Sequence, residues 1–237
     1  MLNLYDSDQP LVGDPLRVHL LERVLQLAAE KKIKILDAGC KSGQLWLPLL
    51  NHPNIEIWGI DLDDEAIKQA KEKFGPDKAI TLNIYNLTQH FAENEFDIVV
   101  STQTLMFLKH LPKALFEINS VLKPGGYFLF TIGWTKYRPN NQLKRQIRSF
   151  FDERYYVHRY DEHELVRALQ ETHFAVQEIR FGAIDSLKEI HNKIINVQHQ
   201  NKFLKQWKLL EDSLIDDQDF KDRGKKFCLG IYFEATK

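Results

Sequence analysis

Between residues 33 and 133 short apolar runs alternate with helical stretches, and that alternation restricts the chain more than any other feature. Ile33–Leu36, Ile55–Ile60, Ala79–Ile84, Asp97–Val100 and Tyr127–Ile132 have strand length and are rich in β-branched and aromatic residues. Helical spacing fills the intervals, from about Gly43 to Leu50, from Asp63 or Asp64 to about Phe74, and from Pro112 to Leu122. Asn51-His-Pro53 and Gly75-Pro76 stop the first two helices. Lys123-Pro-Gly-Gly126 is a turn, with proline second and glycine third. Apolar strands separated by helices predict a parallel sheet covered on both faces, because parallel strands need a crossover connection.

The flanks extend this plan. Asp14 caps a helix reaching about Glu30, with Pro15 at its first position. Amphipathic helices are expected at 141–151 and from Asp161 to about Thr172. A strand is expected over Phe174–Phe181, polar helices over 185–222, and a last strand over Lys226–Phe233. No composition break divides the 237 residues, so a single domain over 1–237 is expected. A chain of this size buries enough surface to need no staple. The formal net charge of -1 excludes a chain basic throughout. Two cysteines, Cys40 and Cys228, make neither a disulfide framework nor a zinc site, which points to a reducing cytoplasm. The first residues lack a basic region followed by an apolar run, so no signal peptide is expected, and no apolar stretch is long enough to span a membrane.

In such sheets ligands bind beyond the carboxyl ends of the strands, where the strand order reverses. Asp37-Ala-Gly39-Cys40-Lys41-Ser42-Gly43 follows the first strand and Asp61 ends the second. Asn86-Leu87 follows the third, and Ser101-Thr-Gln103 the fourth. Gly39 and Gly43 permit a tight turn and close approach of a ligand. A carboxylate at the tip of the second strand can accept two hydrogen bonds from a ribose diol. Together these features indicate a nucleoside-containing cofactor. The dinucleotide fingerprint would need glycines where Lys41 and Gln44 stand, and the phosphate-binding loop motif is absent.

Ile35-Leu-Asp-Ala-Gly-Cys-Lys-Ser-Gly43 resembles the first motif of the class I S-adenosylmethionine-dependent methyltransferases, and Trp58-Gly-Ile-Asp61 resembles their second. Glu95-Phe-Asp-Ile-Val-Val-Ser101 is similar to their fourth strand, and Val121-Leu-Lys-Pro-Gly-Gly126 to the phrase before their fifth. The resemblance covers about residues 30–135 and is closest to small-molecule methyltransferase domains of the type 11/12 kind. It implies a Rossmann-like, seven-stranded, mostly parallel sheet with an antiparallel last strand. Residues 30–135 would form the cofactor-binding core, and 136–172 with 185–222 the acceptor side. By the same resemblance Asp37, Gly39, Cys40, Lys41 and Gly43 lie against the methionine portion. Asp61 takes the ribose hydroxyls, Leu62 packs on the adenine, and Asn86 reads the adenine amino group with Leu87 beside it. Ser101 to Gln103 face the transferred methyl. Lys41 departs from the motif, which has glycine there. At about 5 Å and an effective dielectric near 20, a lysine facing a sulfonium costs on the order of 3 kcal/mol. The side chain is therefore expected in solvent or at the cofactor carboxylate.

Other residues are weaker candidates. His110 could serve as a general base, or be a surface histidine. His158 and His163 are five apart, which does not suit a helical metal pair, and no metal is expected. Cys40 and Cys228 read as packed side chains. The segment Lys136–Arg159 carries Lys136, Arg138, Lys144, Arg145, Arg148, Arg154 and Arg159 among aromatic residues. It is either a solvated helix face or a wall that binds an anionic or aromatic substrate, RNA included. Ser101-Thr-Gln-Thr104 does not match the Asn/Asp-Pro-Pro-aromatic motif of exocyclic-amine methyltransferases. The resulting expectation is methyl transfer from S-adenosylmethionine to an O, N or C of a small-molecule acceptor. The alternatives are an RNA-modifying methyltransferase and a non-catalytic nucleoside-binding protein on the same fold.

Overall fold

The computed structural model of the chain describes Leu4, residues 14–133, His158, residues 160–217, Phe220 and residues 228–237. The helix expected at 141–151 and, except for His158, the basic segment 136–159 lie outside the described residues. Asp14 caps α1 (Pro15–Leu27) by accepting from the Leu16 and Arg17 amides, with Pro15 in the first turn. Then follow β1 (Ile33–Ala38), β2 (Ile55–Asp61), α2 (Asp64–Phe74), β3 (Ala79–Thr81) and β4 (Phe96–Thr102). After them come α3 (Leu111–Val121), β5 (Leu122–Gly133), α4 (Glu162–Glu171) and β6 (Ala175–Ile184). Two helices, α5 (Asp185–Lys193) and α6 (Val197–Leu214), precede β7 (Cys228–Thr236).

The strands form one seven-stranded sheet in the order β3-β2-β1-β4-β5-β7-β6, with β7 antiparallel to both its neighbours. The expected sheet, including its antiparallel last strand, is therefore present. The chain crosses from one half of the sheet to the other between β1 and β4, which pair in parallel through Ile35–Asp37. Alternate side chains of the buried strands feed two cores. Ile33 and Ile35 face α1 and α2, whereas Leu36 and Ala38 face α3 and α4.

Three elements differ from expectation. Residues 44–49 form a short 3₁₀ helix rather than an α-helix. Pro48 within it has no N–H to donate, and its ring disfavours the α ladder. The third strand stops at Thr81 and not at Ile84; the Leu82 amide makes the last rung of its pairing with β2, to the Asp61 carbonyl at 3.0 Å. The Asn83 side chain then accepts from the Tyr85 amide and opens a second 3₁₀ helix, Ile84–Gln89. The last strand runs past Phe233 to Thr236, over Cys228–Thr236 among the described residues. The 123–126 turn is as expected at Gly125, whose φ is 72°, although Leu122 already pairs with Phe96 before it.

Candidate functional site

A cavity of about 950 Å³ opens where the sheet order reverses, at the carboxyl ends of β1, β2 and β4. Asp37, Gly39, Cys40, Lys41, Asp61 and Leu62 line it on one side. Gln103 and Thr104, which follow β4, also line it, and Thr104 packs against Gly39. Arg17, from the first turns of α1, closes a third side. A glycine row sets that helix close to the sheet: Gly133, Gly230 and Gly182 are cross-strand partners. A Cβ on Gly182 would stand 2.8 Å from Leu16, and one on Gly230 would stand 3.0 Å from it. Leu16 fills the space that these glycines leave, and the next residue on the helix is Arg17.

Asp37 is 1 % exposed. Its Oδ2 accepts from the Trp46 indole Nε1 at 2.7 Å, and its Oδ1 has no partner among the described residues. Burial pushes its carboxyl up to about 7; the Trp46 bond opposes this, the Asp61 charge adds to it, and Arg17 opposes it. The Arg17 Nε is likewise buried and unpartnered among the described residues. A carboxylate and a guanidinium on one cavity, each with a buried atom lacking a partner, form a site for a zwitterion.

The loop between Asp37 and Gly43 is tied down from below. The amides of Gly39 and Cys40 both donate to the Ile60 carbonyl, at 2.8 and 2.9 Å. Gly39 has φ 94° and a Cβ there would meet the Thr104 hydroxyl at 2.1 Å, so only glycine fits. Gly43 has φ 73° and lies on the ring of Phe74, which a Cβ would meet at 2.6 Å. The same ring would meet a Cβ on Gly59 at 2.8 Å. Lys41 adopts φ 48°, a conformation that glycine supplies more readily than lysine. Its amide donates to Asp61 Oδ2 at 2.9 Å, while the Asp63 amide donates to Oδ1 at 3.0 Å. Asp61 thus joins the glycine loop to the start of α2, capped in turn by Asp63. The Lys41 residue as a whole is exposed.

Of the residues expected at the site, Asp37, Gly39, Cys40, Lys41, Asp61, Leu62 and Gln103 do line this cavity. Gly43, Asn86, Leu87 and Ser101 do not. Gly43 opens the 3₁₀ helix and rests on Phe74 instead. Leu87 is fully buried in the α3 core. Ser101 is also fully buried and donates from Oγ to the Ala38 carbonyl at 2.9 Å, so it joins β4 to β1. Asn86 sits within the 3₁₀ helix that replaces the end of the third strand, and the neighbouring residues Leu82, Asn83, Ile84 and Tyr85 take its place on the wall.

Leu62 and Phe107, 67 % and 53 % exposed, flank the cavity as open apolar side chains, with Tyr85 and Leu108 nearby. His110 is also on the wall; its amide donates to the Tyr85 hydroxyl at 3.0 Å. The His158 amide donates to the Met106 carbonyl at 2.7 Å, and the Tyr160 hydroxyl to that of Leu108 at 3.2 Å, which holds the loop after β4. Gln103 has φ 57° and its amide donates to the Thr131 carbonyl at 2.8 Å. Sequence reasoning missed Arg17, Thr104 and Tyr85. Arg17 lies on a helix that reads as ordinary amphipathic cover; its one signal is a position just after Pro15, at the end of the helix nearest the loops.

Both cysteines are buried, and burial pushes the Cys40 thiol far up and that of Cys228 up to about 12. Neither has the lowered pKa of a nucleophile. Among the described residues no cluster of three or more His, Cys, Asp or Glu could hold a metal ion, and no helix is long and apolar enough to cross a membrane.

The family model described as "Methyltransferase domain" matches residues 15–179. That is most of the chain, and the chain belongs to this family. Malonyl-[acyl-carrier protein] O-methyltransferase 2 of Ilyobacter polytropus is 30% identical over 105 residues, 44% of this chain and 40% of that protein. Mitochondrial arginine-hydroxylase NDUFAF5 of Mus musculus is 34% identical over 112 residues, 46% of this chain and 31% of that protein. The match therefore spans less than half the length of either relative. Haemonchus contortus phosphoethanolamine N-methyltransferase 2, solved with phosphomonomethylethanolamine and S-adenosylhomocysteine, superposes with a TM-score of 0.63 at 18% identity. That superposition covers 99% of this chain and 56% of the other, and at such identity it shows a common fold.

Proposed function

We propose that this member of the methyltransferase-domain family binds S-adenosylmethionine in the cavity at the ends of β1, β2 and β4, and methylates an O, N or C of a small-molecule acceptor. The observation that carries the cofactor reading is the pair of buried, unpartnered atoms, Asp37 Oδ1 and Arg17 Nε, on one cavity. The amino-acid end of the cofactor has the complementary charges: its ammonium would donate to Asp37, and its carboxylate would accept from Arg17. Asp61 would take the ribose hydroxyls. Each of its oxygens already accepts one backbone amide, and a carboxylate oxygen has a second lone pair to offer. Leu62 and Phe107 offer apolar surface for the adenine.

When bound, the cofactor supplies an electrophilic methyl on a sulfonium, a good leaving group. The residues of the chain then have to orient the acceptor and exclude water, and alignment alone can contribute much of the rate. Gln103, Thr104 and Met106 stand on the cavity wall after β4 and are our candidates for acceptor contacts. His110 is the titratable side chain we assign to proton removal, should the acceptor carry a proton on the attacking atom. A small or carrier-borne acceptor is supported by what the similar proteins are named for, a malonyl group on a carrier protein and a phosphorylated amine.

A second reading is nucleoside binding without methyl transfer. It is favoured by Lys41, which occupies the loop position where the motif has glycine, and by a relative named as a hydroxylase. Calorimetry with S-adenosylmethionine and S-adenosylhomocysteine tests the cofactor reading. The wild type should bind both, and Asp61→Ala or Arg17→Ala should weaken binding roughly 10- to 100-fold, as expected for one lost charge-assisted hydrogen bond. A folded wild type that binds neither would sink it. Binding without methyl transfer to any of a panel of amines, hydroxyl compounds and acyl thioesters would favour the second reading.

A further inference from the structure

The face of the sheet beside the 3₁₀ helix carries a second cavity, of about 390 Å³, which shares no lining residue with the first. It lies at the amino ends of β1, β2 and β4, against the last residues of α2. The accessible apolar lining is Leu50, Pro53 and Ile55, next to the almost fully buried Ile57 and Phe74. The rim is basic, with Lys32, Lys73, Lys78 and Lys123. Lys78 is taken by Glu56 at 3.1 Å and Lys123 by Asp97 at 2.8 Å. Among the described residues Lys32 and Lys73 have no carboxylate partner. The Lys73 ammonium donates instead to the Gln69 carbonyl one turn back, at 3.1 Å.

We infer that this cavity is a second binding site, which takes a compact phosphorylated molecule with an apolar body. The body would rest on Leu50, Pro53 and Ile55, and the phosphate would meet Lys32 and Lys73. The volume falls within the usual range for small ligands, about 300–1,000 Å³. Two ammonium groups without carboxylates match the charge of a phosphate dianion. A nucleic-acid strand fits less well, because Glu56 and Asp97 stand on the same rim and would face its continuing backbone. The inference concerns a cavity apart from the cofactor site and does not depend on the cofactor reading.

The test is calorimetry of the full chain with 1-naphthyl phosphate as probe, in low salt and in about 0.3 M salt. We expect one saturable site that weakens in the higher salt. Lys32→Ala with Lys73→Ala should weaken binding at least roughly tenfold, with Lys73→Gln alone as a milder variant. Neutral 1-naphthol should bind at least about tenfold more weakly than the phosphate. Lys68→Ala, on an exposed lysine of α2 paired with Glu65, should change nothing. Absence of saturable binding, binding that survives the two lysine substitutions, or binding lost in Arg17→Ala would each overturn the inference; the last would place the probe in the other cavity. Binding of a single-stranded RNA decamer at least tenfold tighter than the probe would also overturn it, as the mark of a strand-binding surface.

Discussion

The indole of Trp46 donates to Asp37 Oδ2 at 2.7 Å with both side chains buried, which leaves Oδ1 as the oxygen free to meet a ligand. One bond therefore orients the acid at the centre of the site and partly offsets the cost of burying its charge.

The pH dependence of stability follows from that acid. The Asp37 carboxyl titrates near 7 in the fold, well above its ordinary 3.8, because burial disfavours the charge. The fold thus prefers the protonated form. The stability associated with this group is full below about pH 4 and is lost as pH rises through about 7, by an amount on the order of 4 kcal/mol. Asp37→Asn should flatten this part of the profile and be the more stable protein at pH 8. Urea unfolding midpoints between pH 4 and 9 measure it; an unchanged profile in the variant would exclude Asp37 as the source.

Ligand binding should carry the opposite sign. A cationic ammonium beside Asp37 favours the ionised acid, so binding below pH 7 should release a proton. S-adenosylhomocysteine should bind up to about tenfold more weakly at pH 6 than at pH 8. Calorimetry in two buffers of different ionisation enthalpy counts the proton directly, and Asp37→Asn should abolish the difference.

Trp46→Phe should destabilise the protein by about 2 kcal/mol at pH 8, because it leaves Asp37 Oδ2 buried without a donor. The loss should shrink at pH 5, where the acid is protonated. Equal losses at the two pH values would assign the effect to packing alone.

Lys41→Gly removes a side chain held at φ 48°. Relief of the left-handed conformation outweighs the added freedom of the unfolded chain, so a net gain on the order of 0.5 kcal/mol is expected. Lys41→Ala keeps the strain and should show no gain. Thermal melts of both variants beside the wild type decide between strain relief and loss of charge.

The largest destabilisation by a single substitution should come from α1. Arg23 donates from two nitrogens to the two oxygens of Glu234, each at 2.8 Å, and Glu234 is 4 % exposed. Arg23→Ala leaves that carboxylate buried without its ion partner and should cost about 3 kcal/mol. Arg23→Leu combined with Glu234→Leu should recover most of the loss. Denaturant titrations of the single and double variants form the necessary cycle.

How much of this was legible beforehand depended on the kind of signal. β1, β2, β4 and β5 announced themselves because each is a nearly unbroken apolar run, as strands buried on both faces must be. Asp37, Gly39 and Asp61 could be placed because loop and strand end are fixed by local chemistry. A helix after Gly43 is legible, and its 3₁₀ form goes with Pro48, which removes an N–H and crowds the α ladder. Asn86 was put on the wall because Ala79–Ile84 reads as one continuous strand; the Asn83 side chain, which accepts from the Tyr85 amide, turns the chain into a 3₁₀ helix instead. Arg17 could not be found from the sequence, since its place in the cavity depends on Leu16 settling onto glycines about 165 and 215 residues farther along the chain.

The ring of Phe74 has a consequence for how this loop can vary. It occupies the volume that a methyl group on Gly43 or Gly59 would need. Neither glycine can be exchanged on its own, even for alanine: Gly43 also holds φ 73°, and a Cβ on Gly59 would meet Cys40 Sγ at 2.7 Å as well as the ring. A redesign of the glycine loop therefore has to take in the far end of α2, 31 residues after the loop it aims to change.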